Sequence, residues 1–136
     1  MEFITVEQFQ EQPLEVQKVF IDWWQPEIGD IFQFVDFDND DSTIGVISGK
    51  KQIKIAKQGK GEYRIPLFTE GQLRKFIEDK TNCKNIELKG NIESDQYDLF
   101  CFKEIWSCCE EREYNKLGTN VLQAYWKVAC MIVKEG

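Results

Sequence analysis

The chain contains no histidine, and that single absence removes most familiar catalytic designs. A Ser-His-Asp triad or a Cys-His dyad needs an imidazole to take the nucleophile's proton. Histidine-containing zinc sites, including those of metalloproteases and nucleic-acid deaminases, are excluded on the same ground. No Gly-x-x-x-x-Gly-Lys-Ser/Thr run and no Gly-x-Gly-x-x-Gly run occurs, so neither the common phosphate loop nor the dinucleotide fingerprint is present. Hydrolysis by carboxylates alone survives in principle, yet no Asp or Glu pair stands at a spacing that singles it out.

Five cysteines remain: Cys83, Cys101, Cys108, Cys109 and Cys130. None forms a Cys-x-x-Cys pair, the spacing of zinc knuckles and redox motifs. A zinc site built from Cys83, Cys101, Cys108 and Cys109 would force two adjacent residues into one tetrahedron. Cys101 lies in an apolar strand-like run and Cys130 on an apolar helix, so both read as small buried hydrophobes. The opening residues Met1–Glu7 lack a basic region followed by an apolar stretch. With the odd cysteine count, this predicts reduced thiols in a cytoplasm. No catalytic residue, metal or cofactor is expected.

Charge is the next source of chemistry. The 136 residues carry 24 Asp+Glu against 17 Lys+Arg, a net charge of -7, but the distribution is uneven. Residues 1–45 hold 11 acidic groups and one basic group, whereas residues 46–90 hold 11 basic and 5 acidic. The basic cluster is Lys50, Lys51, Lys54, Lys57, Lys60 and Arg64. It forms a candidate anion-binding ribbon for a nucleotide or nucleic acid. Only Tyr63 interleaves an aromatic ring, and lysines on a hairpin also serve to discourage edge-to-edge aggregation. The acidic run is Asp36, Asp38, Asp40 and Asp41. Its first three members are spaced like the start of a calcium loop, but position six holds Asp41 instead of Gly and position twelve Ile47 instead of Glu. These aspartates are candidate interface residues, and so are Trp24, at the edge of its helical face, and Trp106, just after a strand. A wider acidic surface including Glu7, Glu11, Glu15, Asp22 and Glu27 could imitate a phosphate array and occupy a basic channel on a partner.

These side chains must be held by a chain long enough for one domain, 1–136. At 42% hydrophobic and 13% aromatic it is too rich in core formers to be disordered. Thr5-Val-Glu-Gln8 is a capping box opening a short helical turn. After Pro13, the residues Val16, Val19, Phe20, Trp23 and Trp24 mark one helical face, while Leu14 and Ile21 fall seven apart on another. Asp30–Phe37 reads as a strand. Thr43–Ser48 and Gln52–Ala56 read as a hairpin around Gly49-Lys50-Lys51, with Glu62–Ile65 as a third strand. Thr69-Glu-Gly-Gln72 is a second capping box, and its helix carries Leu73, Phe76 and Ile77 before stopping at Asn82. Asn85–Leu88 and Gln96–Phe102 read as strands, and Glu104–Tyr114 as a helix. From Thr119 to Lys134 all but a narrow stripe is apolar, which predicts a helix at the centre of the core or in an oligomer seam. No stretch reads as a membrane span. The fold class is therefore α+β: a mixed or mostly antiparallel sheet of about five strands, helices on one face, and a central C-terminal helix.

Three stretches carry a resemblance: 19–30 (VFIDWWQPEIGD), 66–81 (PLFTEGQLRKFIEDKT) and 122–130 (LQAYWKVAC). Together the chain resembles small uncharacterised proteins encoded by phages and prophages of clostridia and related Gram-positive bacteria. The resemblance implies a cytoplasmic accessory protein that acts by binding in the host cell, and it transfers no catalytic residue. The leading expectation is thus a non-enzymatic protein that binds a host protein, an anti-defence inhibitor with an acidic surface. The alternative is a nucleotide or nucleic-acid binding module using the Lys-rich hairpin 50–64. An enzyme with an unfamiliar carboxylate or lysine site is a third class. A homodimer through the C-terminal helix is a further expectation.

Overall fold

A computed structural model describes residues 2–35, 42–61, 64–105 and 108–136. Among them are five helices and six strands. They divide into two compact units, Ile4–Phe68 and Met1–Phe3 with Thr69–Gly136. The fold is α+β and every strand pairing within the sheets is antiparallel. Six strands in two sheets of three stand where one sheet of about five was expected.

The unit of residues 4–68 opens with α1 (Val6–Gln10) and α2 (Leu14–Trp23). Thr5 caps α1 as its sequence predicts: its Oγ1 accepts from Gln8 N–H at 3.2 Å, and Gln8 Oε1 accepts from Thr5 N–H at 3.2 Å. That reciprocal pair satisfies two donors a helix start leaves orphaned. The apolar faces of these helices meet in a ring cluster, with Phe9–Phe20 at 6.4 Å and Phe20–Phe68 at 5.7 Å between centroids. Strands β1 (Ile31–Val35), β2 (Ser42–Val46) and β3 (Arg64–Pro66) form a sheet in the order β2-β1-β3.

Between β2 and β3 the chain winds into α3 (Lys50–Gly59), not the predicted hairpin strand. The alternation Ile53-Lys54-Ile55 imitates a strand. The helix prevails because Ile53, Ala56 and Gly59 recur every three residues and form its inward side; Ala56 and Gly59 are buried and Ile53 half-buried. Lys, Gln and Ala are also strong helix formers.

The second unit contains α4 (Glu70–Thr81), β4 (Asn85–Asn91), β5 (Gln96–Ile105), β6 (Cys108–Tyr114) and α5 (Val121–Glu135). Thr69 and Gln72 make the second capping box, and Asn82 ends α4 in the left-handed region at φ 57°. The sheet order is β4-β5-β6. Its register places Ile86 opposite Cys101 and Leu99 opposite Leu88 on one side and Tyr114 on the other. This is the apolar face; α4 packs on α5 and β4, and α5 also packs on β5.

The predicted helix over 104–114 is instead the end of β5 and all of β6. Its Glu and Arg favour a helix locally, but pairing with β5 satisfies the backbone, and exposed Glu111, Arg112 and Glu113 suit a solvated edge. The last helix lies in the core as expected: Leu122, Ala124, Tyr125, Trp126, Val128, Ala129, Cys130 and Ile132 are all buried. Cys130 is buried, as its reading as a small hydrophobe on an apolar helix predicts.

Candidate functional site

Helix α3 carries the basic cluster. It begins at Gly49, an extended N-cap with no side-chain hydrogen bond. Gln52 supplies the local lock: its Oε1 accepts from Ser48 N–H at 2.6 Å and from Ser48 Oγ–H at 2.9 Å. At 3.6 residues per turn, Lys57, Lys50, Lys54 and Lys51 fall within an arc of about 120°, opposite the mean direction of Ala56 and Gly59. All four lysines are exposed. The sequence from Ser42 to Gly61 contains no carboxylate. Among the described residues the ion pairs are Arg74–Glu78, Lys75–Asp79, Lys89–Glu87 and Arg112–Glu135, so none of the four α3 lysines is paired.

The other two members of the cluster do different work. Lys60 is half-buried and donates from Nζ to the Trp24 carbonyl at 3.0 Å. Arg64 is half-buried over two rings of β1, 5.9 Å from the Phe32 centroid and 5.6 Å from that of Phe34. Gly59 permits this, since a Cβ there would stand 2.6 Å from Arg64 Nη1. Lys60 thus ties the end of α3 to the end of α2, and Arg64, in β3, packs over the rings of β1. The six predicted residues therefore resolve into a solvent-facing set (Lys50, Lys51, Lys54 and Lys57, on a helix and not a hairpin) and a packing set (Lys60 and Arg64).

Trp24, predicted as an interface anchor, is instead a core residue at 1% exposure. Its indole N–H donates to Asp30 Oδ2 at 3.0 Å, and the same oxygen accepts from Glu27 N–H at 2.9 Å, closing the turn after α2. Trp106 and the aspartates Asp36, Asp38, Asp40 and Asp41 lie outside the described residues. The carboxylates of Glu7, Glu11, Glu15, Asp22 and Glu27 are exposed and unpaired among the described residues.

The thiols Cys83, Cys101 and Cys130 are free and buried. Burial pushes Cys101 up to about 12, with Cys83 adding to the shift, and pushes Cys130 up to about 12 as well. At neutral pH both stay protonated, which is the inert form of a thiol. Among the described residues no group of three or more Cys, Asp or Glu converges to hold a metal ion. No helix among them is long and apolar enough to cross a membrane.

A groove of about 520 Å³ also opens in the 4–68 unit, lined by Phe9, Leu14, Lys18, Ile21 and Ile65 among others. The heptad pair Leu14 and Ile21 was its sequence signal: an apolar pair off the core face. Among the described residues its only charged lining residue is Lys18, so no acid-base pair of described residues converges there. No family model matches the chain, and no curated protein or solved structure matches it either.

Proposed function

We propose that the protein is a non-enzymatic binding module whose working surface is the lysine face of α3, and that its ligand is the phosphate backbone of a nucleic acid. One observation carries this reading: four exposed, unpaired lysines share one face of a helix with no carboxylate in the surrounding twenty residues of sequence. Lysine on a flexible stem acts as a compact point charge, suited to tracking a polyanion without reading its bases. Lys50, Lys54 and Lys57 span about 10 Å of helix axis, room for a few phosphates and no more. The affinity belongs to the nonspecific range of roughly 10⁻⁴–10⁻⁶ M.

Fluorescence anisotropy with labelled single-stranded and duplex oligonucleotides across a salt series tests the proposal. Four contacts predict a slope of log K against log salt near -2.8 for single strands or -3.6 for duplex, in round terms. Lys54→Glu with Lys57→Glu should abolish measurable binding. A reversed variant that binds like its parent would sink the reading.

A second reading rests on a separate observation, the exposed unpaired carboxylates of α1, α2 and the turn that follows. They would meet a basic surface on a host protein, the anti-defence role that the phage resemblance implies. Glu11→Lys with Glu15→Lys should then reduce capture of that partner from a host lysate and leave nucleic-acid binding no weaker. The two reversals thus act on different ligands.

A further inference from the structure

Strand β2 is an open edge. Among the described residues, in the order β2-β1-β3, it pairs with β1 alone. Its five residues, Ser42-Thr-Ile-Gly-Val46, contain no charge and no proline, the devices that usually blunt an edge. The residue after it shows which way its backbone groups point. Ile47 donates its N–H to Asp30 O at 2.9 Å and its carbonyl accepts from Gly29 N–H at 2.8 Å. Alternate residues of an antiparallel strand turn both groups to the same neighbour. Ile47, Gly45 and Thr43 therefore address β1, and Val46, Ile44 and Ser42 direct N–H and C=O outward. Ile44 and Val46 also hold side chains 57% and 55% exposed, on one face of the strand.

We propose that β2 is a self-pairing edge, on which two copies of this chain join antiparallel about a twofold axis at Ile44. That register opposes Ile44 to the partner's Ile44, and Val46 to the partner's Ser42. Each opposed pair is of the hydrogen-bonded kind, so every outward group of β2 gains a partner and the two three-stranded sheets become one of six. Opposed side chains share a face, which collects the isoleucines and valines of both copies into one apolar strip. The flanks select a second copy in this orientation. The sequence enters β2 from Asp38-Asn-Asp-Asp41 and leaves it toward Lys50-Lys51. Antiparallel self-pairing runs an acidic flank toward a basic one, whereas parallel pairing runs like toward like. For a chain of net charge -7, an uncharged strand with complementary flanks is where a second copy meets least repulsion. The pairing is independent of any ligand on α3.

Sedimentation velocity on the whole chain, from micromolar to millimolar concentration, tests the proposal. The expected result is a shift from 16.0 kDa toward twice that mass. Ile44→Lys should restore the monomer with a thermal midpoint no lower than that of the dilute, monomeric parent, because the side chain it replaces is exposed in the single chain. Val46→Pro, which deletes an outward N–H and spares the β1 ladder, should do the same. Register is read by crosslinking. Ile44→Cys faces its own copy at a Cα separation of about 5.5 Å, within disulfide range, and should form a dimer under mild oxidation. Thr43→Cys, opposite the partner's Gly45, should not, and the parent chain is the blank for native cysteines. A chain that stays monomeric overturns the proposal, even where the edge accepts a foreign extended peptide. So does a dimer that survives Ile44→Lys, since it is joined elsewhere.

Discussion

Helices α3 and α4 have nearly the same length, and both present basic side chains to solvent, but they are built to opposite rules. In α4 two of the three cations have a counterion one turn on: Arg74 Nε lies 3.4 Å from Glu78 and Lys75 Nζ 3.5 Å from Asp79, while Lys80 Nζ sits 5.8 Å from the Phe76 ring centroid. The helix starts with a full capping box and an acidic residue in its first turn, and it buries Leu73, Phe76 and Ile77. Helix α3 starts at an uncapped glycine, places Lys50 and Lys51 in the first turn, and buries only Ala56 and Gly59. Cations at a helix N-terminus oppose the macrodipole by about 0.3–1 kcal/mol each. The missing pairs forgo a further ~0.2–0.5 kcal/mol apiece. The paired cations of α4 help to hold the helix, whereas in α3 the first-turn lysines Lys50 and Lys51 work against it and Lys57, in the last turn, complements the macrodipole, a pattern that fits lysines kept for a ligand outside the chain.

Charge reversal in the two helices is the most severe test of that contrast. Lys54→Glu with Lys57→Glu should cost at least tenfold in affinity for a single strand, because two of four phosphate contacts turn repulsive. Arg74→Glu with Lys75→Glu, the matched change in α4, should leave affinity within a factor of about two at moderate salt. Equal losses by anisotropy would mean that overall charge, and not the α3 face, governs binding.

Stability should show the reverse ordering. Phe76 is fully buried, so Phe76→Ala in α4 should destabilise by about 3–5 kcal/mol. Ile55 in α3 is 39% exposed, and Ile55→Ala should stay within about 0.5 kcal/mol. Urea midpoints measure both. Hydrogen exchange should agree, with α3 amides opening before those of α4. A large loss at Ile55 would show that α3 is a core element after all.

How far this contrast could be read from sequence depends on how local its causes are. Both capping boxes, at Thr5–Gln8 and Thr69–Gln72, formed as their spacing predicts, because four residues of sequence contain the whole interaction. The last helix was equally legible, since its apolar circumference leaves it nowhere but the core. Helix α3 misled because its inward residues, Ala56 and Gly59, are small and carry little hydrophobic signal, while Ile53 and Ile55 alternate like a strand. Strand β6 misled because its partner, β5, supplies the reason for it. The lysine cluster was visible as composition. Its division was not: Lys60 depends on the carbonyl of Trp24 and Arg64 on Phe32 and Phe34, contacts far away in sequence.

The 69–136 unit has its own sensitivity, to alkaline pH. Burial holds Cys101 and Cys130 at about 12 against an ordinary value of 9.0. The unfolded chain therefore ionises these thiols first. Their contribution to stability is intact below about pH 9 and is lost as pH rises toward 12. At pH 10 each thiol should cost about 1 kcal/mol. Urea midpoints at pH 7 and pH 10 should show the drop, and Cys130→Ala should shrink it. An undiminished drop in that variant would place the alkaline sensitivity in other groups.

The smallest expected effect is at the start of α3. Gly49 is extended at φ -167°, a conformation any residue adopts, and a Cβ there meets nothing within 4 Å. Gly49→Ser adds a hydroxyl that can accept from the first-turn N–H groups, worth a few tenths of a kcal/mol over glycine. The change adds no charge, so it separates helix order from electrostatics. If α3 must be ordered before it engages phosphates, Gly49→Ser should tighten binding by up to about twofold at an unchanged salt slope. If affinity is unchanged while α3 amides exchange more slowly, the helix is already formed in the free protein and its lysines act as a preorganised face. A steeper salt slope would contradict both, because the substitution supplies no cation.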